Sequence, residues 1–297
     1  MNLTGPEVVN TLILERQVDD RSAIVVEGQE DLQLLDIHLI DTEVYIIAAG
    51  SKTAVLSAAA RCMQDGIDWA AFVIDLDTDS FEDYVDSVPI GALASSENYD
   101  MLADVLEKNP YLATRAVVSH AKPGVARSIE SAHRRSIYEI ALTLIEPVTA
   151  LRYLAISGQL SISARKLDFT GALNSYNKGV LVDFVAGLAE RRSGGKHAKS
   201  RVATLLHEVL SDKERYSIFK RTNSHDLISA ISDIVRHQGK GALAHTLIAG
   251  TIRASLGCKD FQMLKAVNDL SSWAMVRGSS IFKCAALQEG TLSNNLE

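Results

Sequence analysis

Cysteine is scarce in this chain and follows no pattern. Only Cys62, Cys258 and Cys284 occur, an odd number at wide spacing with no Cys-x-x-Cys. That reads as the reduced thiols of a cytoplasmic protein rather than a disulfide frame or a zinc site. No apolar run is long enough to span a bilayer, so no membrane partner is expected. The stretch MNLTGPEVVNTLILERQ has neither a basic n-region nor a long apolar h-region, which speaks against a signal peptide. Positive charge is also in short supply, with 30 Lys and Arg against 37 Asp and Glu and a net charge of −7. A coat protein for nucleic acid would be basic overall. A nuclease stays open, because an acidic metal site lowers net charge while basic patches elsewhere hold phosphates. No low-complexity tract and no internal repeat is present.

What remains is an ordinary globular composition. The 297 residues are 47 % hydrophobic and 23 % charged, enough for a sizeable core and too long for one small domain, so two are expected. Residues 23 to about 93 alternate two patterns. AIVVEG, EVYIIAAG and WAAFVIDLD are short apolar runs that predict strands. QEDLQLLDIHL and SKTAVLSAAARCMQDG carry helical spacing, the latter starting at Ser51 and stopping at Gly66. Such alternation predicts an α/β fold, a parallel sheet flanked by helices. Ligands on open parallel sheets bind beyond the carboxyl ends of the strands. Glu27, Gly50, Asp75 and Asp77 fall at those ends. After about residue 95 helical spacing dominates, with TRAVVS a possible further strand. The expected organisation is an α/β domain over residues 1–120 and a mainly α-helical region over 121–297.

The acids in VIDLDTD carry the chemistry. Residues two apart on a strand share a face, so Asp75, Asp77 and Asp79 can point together. Neighbouring carboxylates repel, and a divalent cation removes that penalty. No His or Cys accompanies them, which favours Mg²⁺ or Mn²⁺ over zinc. Two such ions roughly 3.5–4 Å apart can hold the attacking and leaving oxygens of a phosphodiester. An EF-hand is a poor fit, since Ser80 and Asp86 stand where glycine and glutamate belong and a strand precedes. A dehalogenase-type phosphatase with Asp75 as nucleophile is a further reading. The plain one is a set of acids capping a loop.

Glu27 separates these. An apolar strand ending in Glu-Gly, a middle strand ending in Gly and a third ending in Asp-x-Asp resemble the Toprim domain of topoisomerases, bacterial primases and OLD-family nucleases, over residues 23 to about 93. The resemblance implies Rossmann-like topology. It implies Glu27 as general acid/base or metal-linked carboxylate, and Asp75 and Asp77, with Asp79, as ligands for Mg²⁺ or Mn²⁺. OLD-like nucleases carry a second acid four residues after the glutamate, and Asp31 stands there, one helical turn on.

Lys52 sits at a strand-to-helix turn, where it and the helix amides suit a phosphate oxygen; the alternative is that Ser51 caps the helix and Lys52 is solvated. AAGSKTAVL is not a Walker A loop. In SSENYDMLADVL, Ser95 or Ser96 is a ready N-cap and Glu97 suits the helix dipole. A ligand role for Glu97 or Asp100 is the sharper reading. RRSGGKHAKSR, with Arg191, Arg192, Lys196, Lys199 and Arg201, is a basic loop, ordinarily solvated and here the best candidate for gripping a nucleic-acid backbone. HRRS at 133–136 and Lys213, Arg215, Lys220 and Arg221 are weaker candidates, and no interleaved aromatics form a stacking platform. His225 lies in RTNSHDL, where Ser224 or Asp226 serves as N-cap; a similar segment recurs in standalone Toprim proteins, giving His225 a possible substrate contact.

The overall pattern resembles the Toprim effectors of two-component anti-phage systems of the PARIS type. That resemblance implies an endonuclease that is restrained by a separate ABC-type ATPase, dimerises on release and cuts transfer RNA in preference to DNA. A rival from another class is a non-catalytic Toprim-like module that binds a ligand or partner.

Overall fold

The computed structural model describes residues 3–77, 91–162, 178–212, 223–237, 243–285 and 287. The chain divides into two compact units, Met1–Lys108 with Leu256–Glu297, and Asn109–Ser255. A single boundary at residue 120 is therefore replaced by two, near 108 and 255. The chain leaves the α/β unit and comes back to it.

The first unit is a mixed α/β fold. Its strands are β1 (Ser22–Val26), β2 (Val44–Ala48), β3 (Ala70–Ile74) and β4 (Leu93–Ser95). They form a parallel sheet of order β2-β1-β3-β4. The helices α1 (Gly5–Arg16), α2 (Gln29–Asp36), α3 (Lys52–Asp65) and α4 (Met101–Lys108) belong to it. The pleat sends Ala23 and Val25, and Ala70, Phe72 and Ile74, to one face. There they meet Val8, Val9 and Leu12 of α1 and Ala54, Val55, Ala58 and Ala59 of α3. Every residue of β3 is buried, as expected for a central parallel strand covered on both sides. Burying one such Val, Ile or Phe side chain contributes about 1.5–3 kcal/mol.

Helix α1 lies close on α3. A Cβ at Gly5 would stand 2.3 Å from Ser57 Oγ and 2.5 Å from its Cβ. Gly5→Ala is expected to lower stability by about 1–3 kcal/mol in urea melts, through overpacking, and Ser57→Gly should restore most of the loss.

The return segment contributes α12 (Cys258–Phe261) and α13 (Lys265–Val276), whose numbers follow the helices of the second unit. Helix α13 packs on β4 and β3, and Lys265 Nζ donates to Ser95 Oγ at 3.2 Å. Phe282 bridges Leu39, and Ile40 N donates to Ile281 O at 2.8 Å. This return also corrects the expectation of three reduced thiols. Cys258 and Cys284 form a disulfide, their Cα atoms 5.6 Å apart, inside the range a disulfide requires. Cys62 is free and buried, and burial pushes its thiol up to about 11.

The second unit is helical. It contains α5 (Tyr111–His120), α6 (Val125–His133), α7 (Ile137–Ile156), α8 (Lys178–Arg192), α9 (Lys199–Ser211), α10 (Ser224–His237) and α11 (His245–Ala254). The possible strand TRAVVS falls inside α5. Its β-branched valines are outweighed by a helical stripe, with Leu112, Ala113, Ala116 and Val117 all buried. Arg134 takes a left-handed backbone that ends α6, and Ser136 with Glu139 forms a capping box that starts α7. Among the described residues no helix is long and apolar enough to cross a membrane.

Candidate functional site

The strand order places a topological switch between β1 and β3. From β1 the chain crosses to β2 on one side, then back past β1 to β3 on the other. The carboxyl ends of two adjacent parallel strands there open a crevice, the usual ligand position on such sheets. Glu27 follows β1 and Asp75 follows β3. The Asp75 amide donates to Glu27 Oε1 at 2.9 Å, so the two acids touch across the switch point. Gly50 closes the neighbouring turn. Its φ of 94° suits glycine, and its amide donates to Glu27 O at 2.7 Å.

Asp77 joins by a different route from the expected one. Strand β3 ends at Ile74, so strand periodicity does not align Asp75 with Asp77. Asp77 instead takes a left-handed backbone, φ 53°, and its amide donates to Tyr99 O at 2.8 Å. Non-glycine residues in this region are uncommon and gather at functional sites. The turn brings Asp77 Oδ2 to 2.6 Å from Lys52 Nζ, which also donates to Leu76 O at 3.3 Å. Lys52 is thus drawn into the cluster rather than solvated. Ser51 caps α3, its Oγ accepting from Ala54 N at 3.2 Å. The Ser51 cap is thus seen, while the solvated Lys52 that went with it is not.

Asp31 has two tasks. Its Oδ2 accepts from Gly28 N at 3.0 Å, tightening the first turn of α2, and its charge acts on Glu27 and Asp75. Asp100 is the acid that the 95–100 region brings in. It acts on Asp75 while its Oδ1 accepts from Ala103 N at 2.7 Å, capping α4. Glu97 instead pairs with Lys108 at 2.7 Å. Neither serine is the N-cap of α4. Ser95 ends β4, and Ser96 Oγ accepts from Leu76 N at 2.9 Å and donates to Asn98 O at 2.9 Å. Buried Asp104 accepts from both Glu97 N and Asn98 N at 2.7 Å. It braces the loop whose Tyr99 carbonyl holds Asp77. Asp79 lies outside the described residues.

The electrostatics follow from this crowding. Burial pushes Glu27 up to about 7, against the pull of the Asp75 amide and Lys52 and with the push of Asp77 and Asp31. Burial, then Asp31, Asp100, Glu27 and Asp77, raise Asp75 well above the ordinary carboxylate range. Asp104 rises to about 6, mainly by burial. Among the described residues, Glu27, Asp31, Asp75, Asp77 and Asp100 therefore crowd together with Lys52, and every donor among these acids is a hard oxygen, which suits Mg²⁺ or Mn²⁺. No three of these acids bring ligand atoms within 4.8 Å of one another; among the described residues only His38, Cys258 and Cys284 do so.

A stability test follows. Below about 4.5 Glu27 is protonated folded and unfolded alike; between there and about 7 the unfolded chain ionises it and the folded one resists. Stability of the chelator-treated protein should thus fall as pH rises through that window, with Glu27 contributing on the order of 2–3 kcal/mol. Differential scanning calorimetry in EDTA at pH 5, 6, 7 and 8 measures it, and a flat profile would contradict the assigned strain.

The basic loop lies in the second unit, where Arg191 and Arg192 end α8 and Lys199 and Arg201 begin α9. Arg191, Arg192, Lys196 and Arg201 are exposed. Lys199 pairs with Asp183 at 3.1 Å, and His197 Nε2 accepts from Ser161 N at 3.1 Å. His225 stacks on His245, ring centroids 5.1 Å apart. The cap of α10 is Asn223, whose Oδ1 accepts from His225 N at 2.8 Å and Asp226 N at 3.3 Å, not Ser224 or Asp226. Lys213, Arg215, Lys220 and Arg221 lie outside the described residues.

No model of a known protein family matches the chain, and no curated protein is significantly similar to it.

Proposed function

We propose that the chain is a Mg²⁺-dependent endonuclease of the Toprim type, hydrolysing phosphodiester bonds with transfer RNA favoured over DNA. One observation carries this reading. Glu27 and Asp75 meet at the switch point of a parallel sheet, with Asp31, Asp77, Asp100 and Lys52 gathered on them. A hard cation bound there supplies Lewis-acid polarisation of the phosphate and a more acidic bound water. Asp75 and Asp77 are the residues to hold it, with Asp31 and Asp100 lending charge. Glu27, held against the Asp75 amide, is the residue to exchange a proton with the attacking or departing oxygen. Lys52 trades Asp77 for a phosphate oxygen when substrate enters. Arg191, Arg192, Lys196, Lys199 and Arg201 are proposed to grip the nucleic-acid backbone. By the same resemblance, control by an ABC-type ATPase in trans and homodimerisation on activation belong to the proposal, as does a role as toxic effector in anti-phage defence.

A second reading has its own support. The Lys52–Asp77 ion pair and the Asp75–Glu27 hydrogen bond partly satisfy the cluster without a metal. That suits a non-catalytic module binding a ligand or partner. Incubating the purified chain with transfer RNA and with plasmid DNA, in Mg²⁺ and in EDTA, separates the two. Cleavage in Mg²⁺ alone is expected; no cleavage by any oligomeric form would favour the module.

A further inference from the structure

We propose that His38, Cys258 and Cys284, once the disulfide is reduced, form a Zn²⁺ site on the α/β unit, with the fourth position open to water. This site is separate from the carboxylate cluster and uses opposite chemistry, soft sulfur and imidazole nitrogen rather than hard oxygen.

Three observations point to it. First, the imidazole of His38 and the two sulfurs place their ligand atoms within 4.8 Å of one another, and Nδ1 of His38 lies 3.9 Å from Cys284 Sγ. A tetrahedral zinc, with bonds of roughly 2.0–2.3 Å, spaces its ligands roughly 3.5–3.8 Å apart. The nitrogen and sulfur already stand close to that edge length. Second, His38 is 8 % exposed, and the nitrogen that faces the sulfurs is Nδ1, turned toward Cys284 Sγ with no stronger acceptor against it among the described residues. A buried imidazole ordinarily satisfies both nitrogens; here the sulfur contact is the one partner shown. Phe261 stacks on the ring at 4.0 Å and fixes its plane, as packing around a metal ligand does. Third, the backbone holds Cys284 beside His38 without the sulfur bond. Lys283 N donates to His38 O at 2.8 Å beside the Leu39–Phe282 bridge, so residue 284 stays near residue 38 when the disulfide opens. Cys258 is exposed, which leaves the fourth corner to solvent.

Burial, reinforced by nearby Lys283, holds His38 below its ordinary value and keeps it in the neutral, ligating form. The chemistry balances as follows. A dithiol reductant delivers two electrons and two protons to the Cys258–Cys284 bond and closes to its own disulfide. Zinc then displaces the two thiol protons to solvent, and its two charges are matched by two thiolates. The pair is thus a disulfide under oxidising conditions and a metal ligand under reducing ones.

Cobalt is the probe, because sulfur-ligated tetrahedral Co²⁺ has a thiolate charge-transfer band that an oxygen-ligated ion at the carboxylate cluster lacks. The full chain is reduced with a dithiol, freed of it anaerobically and titrated with Co²⁺, then Zn²⁺. Expected is a charge-transfer band saturating at one equivalent, bleached by Zn²⁺ and absent from the oxidised chain. Cys258→Ser, at an exposed position, should lose the band while keeping its circular dichroism, and His38→Phe should lose it with the stack on Phe261 kept. A reduced chain that shows only octahedral, oxygen-type spectra overturns the proposal. So does a full-strength band in Cys258→Ser.

Discussion

Glu27→Gln is expected to reduce Mg²⁺-dependent cleavage by about 10²–10⁴-fold and, in the same protein, to raise metal-free stability. Glutamine keeps the Oε1 that accepts the Asp75 amide, so the local geometry survives. It removes a charge that burial, Asp77 and Asp31 all oppose. Above pH 7 that relief should amount to about 1–3 kcal/mol by urea denaturation in EDTA, since the wild type is then ionised and the variant never is. The pairing of lost activity with gained stability marks a site that holds destabilising charge for its chemistry. Cleavage at the wild-type rate would remove Glu27 from the reaction. Equal stability at pH 8 would remove the electrostatic strain instead.

The second large effect lies in the helical unit. Arg152 of α7 meets Asp226 in the first turn of α10, Nη1 to Oδ2 at 2.5 Å and Nη2 to Oδ1 at 3.1 Å. The Oδ2 contact is close yet poorly aligned for a hydrogen bond, so its attraction is chiefly Coulombic. Both side chains are largely buried, at 15 % and 8 % exposure. Burial raises Asp226 despite Arg152, so the pair is held against a desolvation penalty. Arg152→Ala should therefore destabilise the protein by about 3–5 kcal/mol at neutral pH, because it strands a buried carboxylate. Arg152→Met with Asp226→Leu should recover most of that loss. If the single variant melts like wild type, the pair contributes little and α7 and α10 are held by apolar packing alone.

The sequence made the first three strands legible because each lies in a run of four to six apolar residues stopped by an acid or glycine. It also showed which acids end them, and Glu27, Asp31, Asp75 and Asp77 do lie together; Lys52, left open between a site role and solvent, joins them through Asp77. β4 escaped because three residues, LAS, are too few to show a period. The reason for Asp77 was misjudged, since a left-handed backbone leaves no mark on an alternation pattern. Asp104 escaped because its task depends on a loop folding back onto it. His38 and Cys284 escaped for a simpler reason: 246 residues separate them, and only the tertiary path makes them neighbours.

That path has a consequence for synthesis. The sheet is finished by residues made long after it, since α13 seats on β4 and Phe282 bridges Leu39 only when the return segment has been translated. Domains generally fold as units while the chain emerges. Here a growing chain carries every acid of the cluster from residue 100 onward, yet lacks the helix that covers the edge strand beside it. A ribosome that stalls inside the helical unit leaves the acids on an uncovered sheet. On the proposed function, a chain stopped there carries the acids of the site without the return segment that completes its unit.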